Sequence, residues 1–215
     1  MTTSTAEARA SGAGGVRNAA KPGSLRERRQ QRTRAELVDA VLAVIASGGL
    51  VDATIERVSA ESGISRGTVY AHFPGGRDEL LRAAYARLGR TLVERTRAAV
   101  SAAEDWRGRL EAHARAMFDL AGDVRVGHFF NVSGPTLITE GSERGIGSGA
   151  SVVMIRETLE AAQLAGEVDA GVDAATTAVL LVGALREAAI SVSAGANSAE
   201  RAYAAFARVV DGLAG

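Results

Sequence analysis

Between Thr54 and Pro74 the chain encodes two short helices joined by a glycine turn, and this segment constrains the fold more than any other. Thr54 is a good N-cap, and Ile55 and Val58 point inward from a helix over residues 55–61. Ser62-Gly63-Ile64 is a tight turn with a glycine available for positive φ. Ser65 caps a second helix through His72, with Val69 and Phe73 on its inner face, and Pro74-Gly75-Gly76 stops it. Helices this short cannot bury their own apolar faces and need longer partners. The arrangement is a helix-turn-helix, whose second helix can enter a major groove.

The flanking sequence supplies those partners. Leu37, Val38, Val41, Leu42 and Ile45 form one face of an amphipathic helix that Gly48-Gly49 ends. Arg77-Asp78-Glu79 opens a long helix to about residue 103, with two acidic residues near its positive end and Leu80, Leu81, Ala84, Tyr85, Leu88 and Leu92 at helical spacing. Helices follow over 106–120 (Leu110, Ala114, Met117, Phe118) and 151–164 (Val152, Ile155, Leu159). Between them, glycines and Pro135 predict a short helix over 126–132 and then a loop that includes Gly145-Ile-Gly-Ser-Gly149. Asp173 caps a stretch to about residue 194 in which only Arg186 and Glu187 are charged. A helix apolar nearly all round needs cover on most sides, and a partner subunit supplies it most easily. Gly183, Ala184, Ala188 and Ala189 permit close approach there. A final amphipathic helix runs over 198–212 through Ala202, Phe206, Val209 and Val210. No strand-like alternation or internal repeat stands out, so the fold class is all-α.

Composition narrows the function. The 215 residues are 47% hydrophobic and 23% charged, ordinary globular values that exclude wholesale disorder. There is no cysteine, which removes disulfides, thiolate metal sites and thiol nucleophiles. The three histidines, His72, His113 and His128, leave little for a metal centre, and no metal or other cofactor is expected. A Ser-His-Asp arrangement and a phosphate-cradling GxxxxGK[ST] loop are both missing, which argues against an enzyme. The N-terminus has no apolar signal-peptide core, and the charge-free run over 178–185 is shorter than the ~18 residues of a membrane span. The expectation is a soluble, cytoplasmic protein without a membrane partner.

Formal net charge is zero, yet residues 1–90 carry 14 basic against 9 acidic side chains, a net of +5, and residues 91–215 carry 11 against 16, a net of −5. Residues 1–24 are rich in Ala, Gly, Ser and Thr and are read as a disordered basic tail. A basic front on an acidic body favours a polyanion partner for the front alone, with a solvated basic tail as the plain alternative.

The run from Thr54 to Leu81, above all Gly63-Ile-Ser-Arg-Gly-Thr-Val-Tyr-Ala-His-Phe73 followed by a basic residue and Asp78-Glu-Leu-Leu81, resembles the TetR family of bacterial transcriptional regulators. The likeness covers about residues 28–88. It implies a three-helix DNA-binding domain over 25–75 and a helical effector-binding and dimerisation domain over 76–215. It further implies a homodimer built through the last two helices (about 173–194 and 198–212), bound to a double-stranded DNA operator. Before the acidic residue that opens the fourth helix the family usually has Lys, whereas this chain has Arg77 preceded by two glycines.

Thr54, Tyr70, His72 and Arg77 match family positions that touch phosphates; Tyr70 and His72 equally suit packing, and Arg77 a solvated surface charge. Ser65, Arg66, Gly67 and Thr68 occupy the start of the recognition helix, where Arg66 is suited to guanine O6/N7 or to a non-specific phosphate contact. Gly67 is poor for helix stability, which suggests close approach of the backbone to DNA. Arg26, Arg28, Arg29 and Arg32 add salt-dependent affinity or form a solvated basic face. For a small, largely hydrophobic effector the larger side chains at hand are Trp106, His113, Met117, Phe118, Phe129, Phe130 and Met154, each equally suited to core, with Asn131 and Arg186 as polar anchors. The resulting expectation is a repressor released by that effector; the alternative is a constitutive or activating regulator with a solid C-terminal core.

Overall fold

The computed structural model describes residues 24–137 and 146–215. The tail over 1–24, apart from Ser24, and Gly145 lie outside the described residues. Helix α1 (Leu25–Asp52) starts with a capping box in which Ser24 accepts from the Glu27 amide and Glu27 accepts from the Ser24 amide. Its regular helical conformation breaks at Gly49, where φ is 76°, at the expected glycine pair. Helices α2 (Ile55–Ser62) and α3 (Arg66–His72) follow, capped by Thr54 and Ser65. Gly63 takes φ 68° between them, the left-handed conformation the turn requires.

Helix α4 (Gly76–Ala102) joins two cores. Its first turns bring Leu80, Leu81 and Ala84 into one core with Leu37, Val41, Val58, Val69 and Phe73. Beyond it, α5 (Trp106–Gly122), α6 (Ile146–Leu164), α7 (Ala174–Ser193) and α8 (Ala199–Asp211) enclose a second core containing Leu110, Phe118, Ile155, Leu159, Leu181, Leu185 and Phe206. Among the described residues there is no regular strand, only an isolated bridge between Val168 and Ala214.

The segment after α5 departs from expectation. In place of a short α-helix over 126–132 there is a π-helical turn over Phe129–Ser133, followed by a 3-10 turn over Gly134–Leu137. Helix α6 begins at Ile146, so Gly147 and Gly149 lie in its first turn and not in a loop. Packing of α6 against α4, α5 and α7 outweighs the roughly 1 kcal/mol each glycine loses relative to alanine. The π turn also sends Phe129, 2% exposed, out of the C-terminal half and into the N-terminal core. Phe130 stacks on Tyr85 of α4 with ring centroids 5.1 Å apart. Gly134 makes this possible, because a Cβ there would sit 2.6 Å from the Tyr85 ring.

Helix α7 is long and apolar enough to cross a membrane by length and composition, with a mean hydropathy of 1.5 over its best 18 residues. The charge-free run over 178–185 understated it, because Arg186 and Glu187 interrupt a helix whose other residues are nearly all small or apolar. Its inner side packs against α5, α6 and α8. On its outer side Val179, Leu180, Gly183 and Ala184 remain uncovered in the single chain.

Candidate DNA interface and ligand cavity

The turn before α3 is fastened by its own hydroxyls. Ser59 Oγ donates to the Ile64 carbonyl at 2.6 Å; Ser62 Oγ donates to the Val58 carbonyl and accepts from the Ile64 amide. Val69 and Phe73 anchor α3 from beneath, both fully buried. Arg34 clamps the helix's far end, with its guanidinium 4.1 Å from the Phe73 ring centroid, a hydrogen bond to the His72 carbonyl and an ion pair to Glu79 at 3.6 Å. Sequence reasoning passed over Arg34. The available signal was its place on the apolar stripe of α1, one turn before Leu37 and Val38.

This scaffold leaves the first turn of α3 facing solvent. Ser65 Oγ accepts from the Thr68 amide and lies 2.9 Å from Thr68 Oγ1. Arg66 reaches to 3.4 Å from Glu56, with both side chains 65% exposed. An exposed pair of this kind contributes little, so the guanidinium can leave at low cost. Hydrogen bonding to main-chain amide and then to Arg66 holds the Glu56 carboxyl below its ordinary range. Gly67 has no positive φ, and a Cβ added there meets nothing closer than Ser65 Oγ at 4.0 Å. Nothing inside the protein requires a glycine at that position.

Around this turn, Thr54 caps α2 by accepting from the Arg57 amide at 3.2 Å. Tyr70 is half exposed, and its ring lies 3.2 Å from where a Gly76 Cβ would stand. His72 is partly buried with an unpartnered Nδ1, in a groove shared with Arg26, Arg29, Gln30 and Thr33 of α1. Arg28 is exposed, and Arg32 is paired with Glu36 at 2.9 Å on the open surface. Arg77 differs from the rest. Its Nε donates to the Ala53 carbonyl and a terminal nitrogen to the Leu50 carbonyl, both at 2.7 Å, strapping the start of α4 to the exit of α1.

In the C-terminal half, described residues of α4, α5, α6 and α7 line a small cavity. Leu92, Val93, Met117, Val182 and Leu185 form its apolar walls, and Thr96, His113, Ser148 and Ser151 its polar ones. A water-sized sphere can centre over about 20 Å³ of it, room for a single water and little more. His113 is 3% exposed, and burial pushes its pKa down to about 4. Its Nδ1 lies 3.3 Å from Ser151 Oγ, while its Nε2 is buried without a partner.

Of the side chains expected to meet an effector, this cavity brings together His113 and Met117. Trp106 and Phe118 are filled into the C-terminal core, Phe129 and Phe130 serve the junction with α1 and α4, and Met154 lies outside the lining. Asn131 ties the π turn to α7 through Ser193 at 3.0 Å, and Arg186 is exposed. Thr96, Ser148 and Ser151 were not singled out in sequence, since lone hydroxyls on apolar helices carry no pattern. Among the described residues no three His, Cys, Asp or Glu side chains cluster as a metal site would need.

Residues 37–84 match the family model described as bacterial regulatory proteins, tetR family. The chain is 39% identical over 56 residues to the HTH-type transcriptional regulator SrpR of Pseudomonas putida, covering 26% of each chain. It is 36% identical over 107 residues to the HTH-type transcriptional regulator BetI of Paraburkholderia phymatum, covering 49% of this chain and 50% of that one. The chain thus spans between a quarter and a half of the length of these curated relatives. Among solved structures, a TetR-family transcriptional regulator from Pectobacterium atrosepticum superposes with a TM-score of 0.72 at 23% identity, over 87% of this chain and 96% of that one. FadR from Bacillus subtilis, solved with stearoyl-CoA, gives 0.66 at 15% identity over 82% and 96%. These two likenesses concern the fold alone. The helix-turn-helix residues carry the assignment: over residues 37–84 this chain has the N-terminal domain of the tetR family of bacterial regulatory proteins.

Proposed function

We propose that the protein is a cytoplasmic, homodimeric repressor that holds a palindromic DNA operator and leaves it when a small molecule binds the C-terminal bundle. The observation that carries the reading is the first turn of α3, supported from beneath yet exposed at Ser65, Arg66 and Gly67, with Thr68 half-buried beside them. The open space at Gly67 suits a glycine selected by something outside the protein, such as a phosphate backbone at close range. Arg26, Arg28, Arg29 and the His72 groove supply charge for phosphate contacts, while the acidic body contributes none. Thr54 and Tyr70 stand at the edges of the same surface, and Arg77 holds α4 in place behind it.

The test uses the DNA upstream of the protein's own gene. Arg66→Ala weakens binding to that DNA by about tenfold to a hundredfold, the loss of one bidentate base contact, and weakens random DNA only slightly. Equal loss on both would make Arg66 a phosphate contact. No binding by the wild type to that fragment would sink the proposed site.

Dimerisation follows from the uncovered face of α7 beside exposed Ala204, Ala205 and Val209 of α8. Leu180, 66% exposed, stands on that face. Leu180→Arg places a charge there and converts a dimer of two 22.1 kDa chains into a monomer by light scattering, with weaker operator binding. An unchanged mass would move the interface elsewhere. A second reading, a constitutive regulator without a switch, is favoured by the small size of the cavity; it expects DNA affinity to be indifferent to every compound the bundle binds.

A further inference from the structure

The C-terminal bundle buries a polar atom with nothing to bond. His113 Nε2 has no partner in a side chain that is 3% exposed. A buried nitrogen left unsatisfied carries its full desolvation cost, whereas a leucine or phenylalanine at 113 would fill the same space without it. Three further polar side chains face the same void: Thr96, itself 3% exposed, from α4, and Ser148 and Ser151 from α6. They stand in an otherwise apolar lining that contains no charged side chain among the described residues. On the α6 side the wall is loosely packed, since a side chain begun at Gly147 meets nothing within 4 Å.

Charge separates the classes of molecule such a site can hold. A carboxylate, phosphate or ammonium would enter without a counter-charge and lose its hydration uncompensated. The imidazole cannot supply one near neutrality, because burial keeps it uncharged there. An uncharged molecule meets no such barrier, and a single oxygen on it satisfies the orphan nitrogen. We propose that the cavity around His113 binds a small, uncharged, mostly apolar compound through one hydroxyl or carbonyl oxygen bonded to His113 Nε2. The inference rests on the effector reading above and gives that effector its chemical class. The void widens on binding, since it now admits little more than a water.

The Ser151 contact leaves two tautomers, and they select different oxygens. If Nδ1–H donates to Ser151 Oγ, Nε2 accepts, and only a hydroxyl fits. If the Ser151 hydroxyl donates into Nδ1, Nε2–H donates, and a ketone fits as well.

The test titrates the full-length protein by calorimetry with four probes of equal chain length: n-hexanol, methyl butyl ketone, hexanoate and hexylammonium. The alcohol binds, and both ions bind at least about tenfold more weakly. His113→Phe and Thr96→Val each weaken the alcohol, the first by about tenfold. In the wild type the His113 Nε2 nitrogen resonance moves on titration, a readout independent of how the variants fold. Ions that bind as well as the alcohol, absence of any binding by either neutral probe at millimolar concentration, or a stationary Nε2 resonance would each overturn the proposal. Binding of the alcohol with no change in DNA affinity supports the site and its ligand class while overturning effector release. Release of DNA without movement of the His113 resonance does the reverse.

Discussion

Phe129→Ala lowers the stability of the protein by about 3–5 kcal/mol, the cost of emptying a well-packed aromatic site. The expectation stands although Phe129 lies beyond α5, more than fifty residues along the chain from most of the side chains it touches. It is 2% exposed and shares one core with Leu37, Val41, Val69, Phe73, Leu80 and Leu81. The neighbouring stack of Phe130 on Tyr85 holds the π turn against α4, so the hole cannot collapse cheaply. Urea denaturation followed by circular dichroism measures the loss. Trp106, the sole tryptophan, sits in the other core and reports separately on the C-terminal half. In the variant the circular dichroism midpoint falls first and the two transitions separate. A loss under about 1 kcal/mol would mean that the N-terminal core closes without Phe129.

The second large effect is acid destabilisation through His113. Its pKa is about 4 in the folded protein, against an ordinary 6.5. Between those values the unfolded chain binds a proton that the folded chain refuses, so stability falls as pH drops through that window. The contribution is fully present above pH 6.5 and largely gone by pH 4, a loss of roughly 3 kcal/mol. His113→Phe removes that slope, so the difference in stability between wild type and variant changes by about this amount over the window. Comparing the two cancels the carboxylates they share, including the N-cap Asp173 and the first-turn Glu200 of α8, whose pKa values hydrogen bonds lower. Parallel pH profiles would show that His113 is solvated in solution.

The DNA-facing half was legible because its signals are local. Thr54, Ser65 and Asp173 are caps, each read from one residue and its successors, and each accepts the expected amide hydrogen. Gly63 and Gly49 mark breaks for a reason intrinsic to glycine. The C-terminal site was largely illegible because cavities belong to several helices at once. Trp106 and Phe118 have the size expected of ligand walls, but size also fills core, and packing decided for core. Thr96 and Ser151 line one void with His113 only through the crossing of α4, α5 and α6, which no local periodicity encodes. Phe129 failed for a related reason: a π turn rotates successive side chains differently from an α-helix, so apolar spacing could not show that it points toward α1.

Arg77 makes a contact that depends on no partner side chain. Its two strong hydrogen bonds end on the main-chain oxygens of Leu50 and Ala53. Any residue at position 50 or 53 offers the same oxygen, so neither side chain is obliged to change when position 77 does. Covariation across related sequences would therefore miss a contact that ties α4 to the end of α1. A lysine there has a single nitrogen, which must serve both oxygens from one point or give one up, whereas the guanidinium reaches them with separate nitrogens. The junction therefore depends on one side chain, through the shape of its head group more than through its charge.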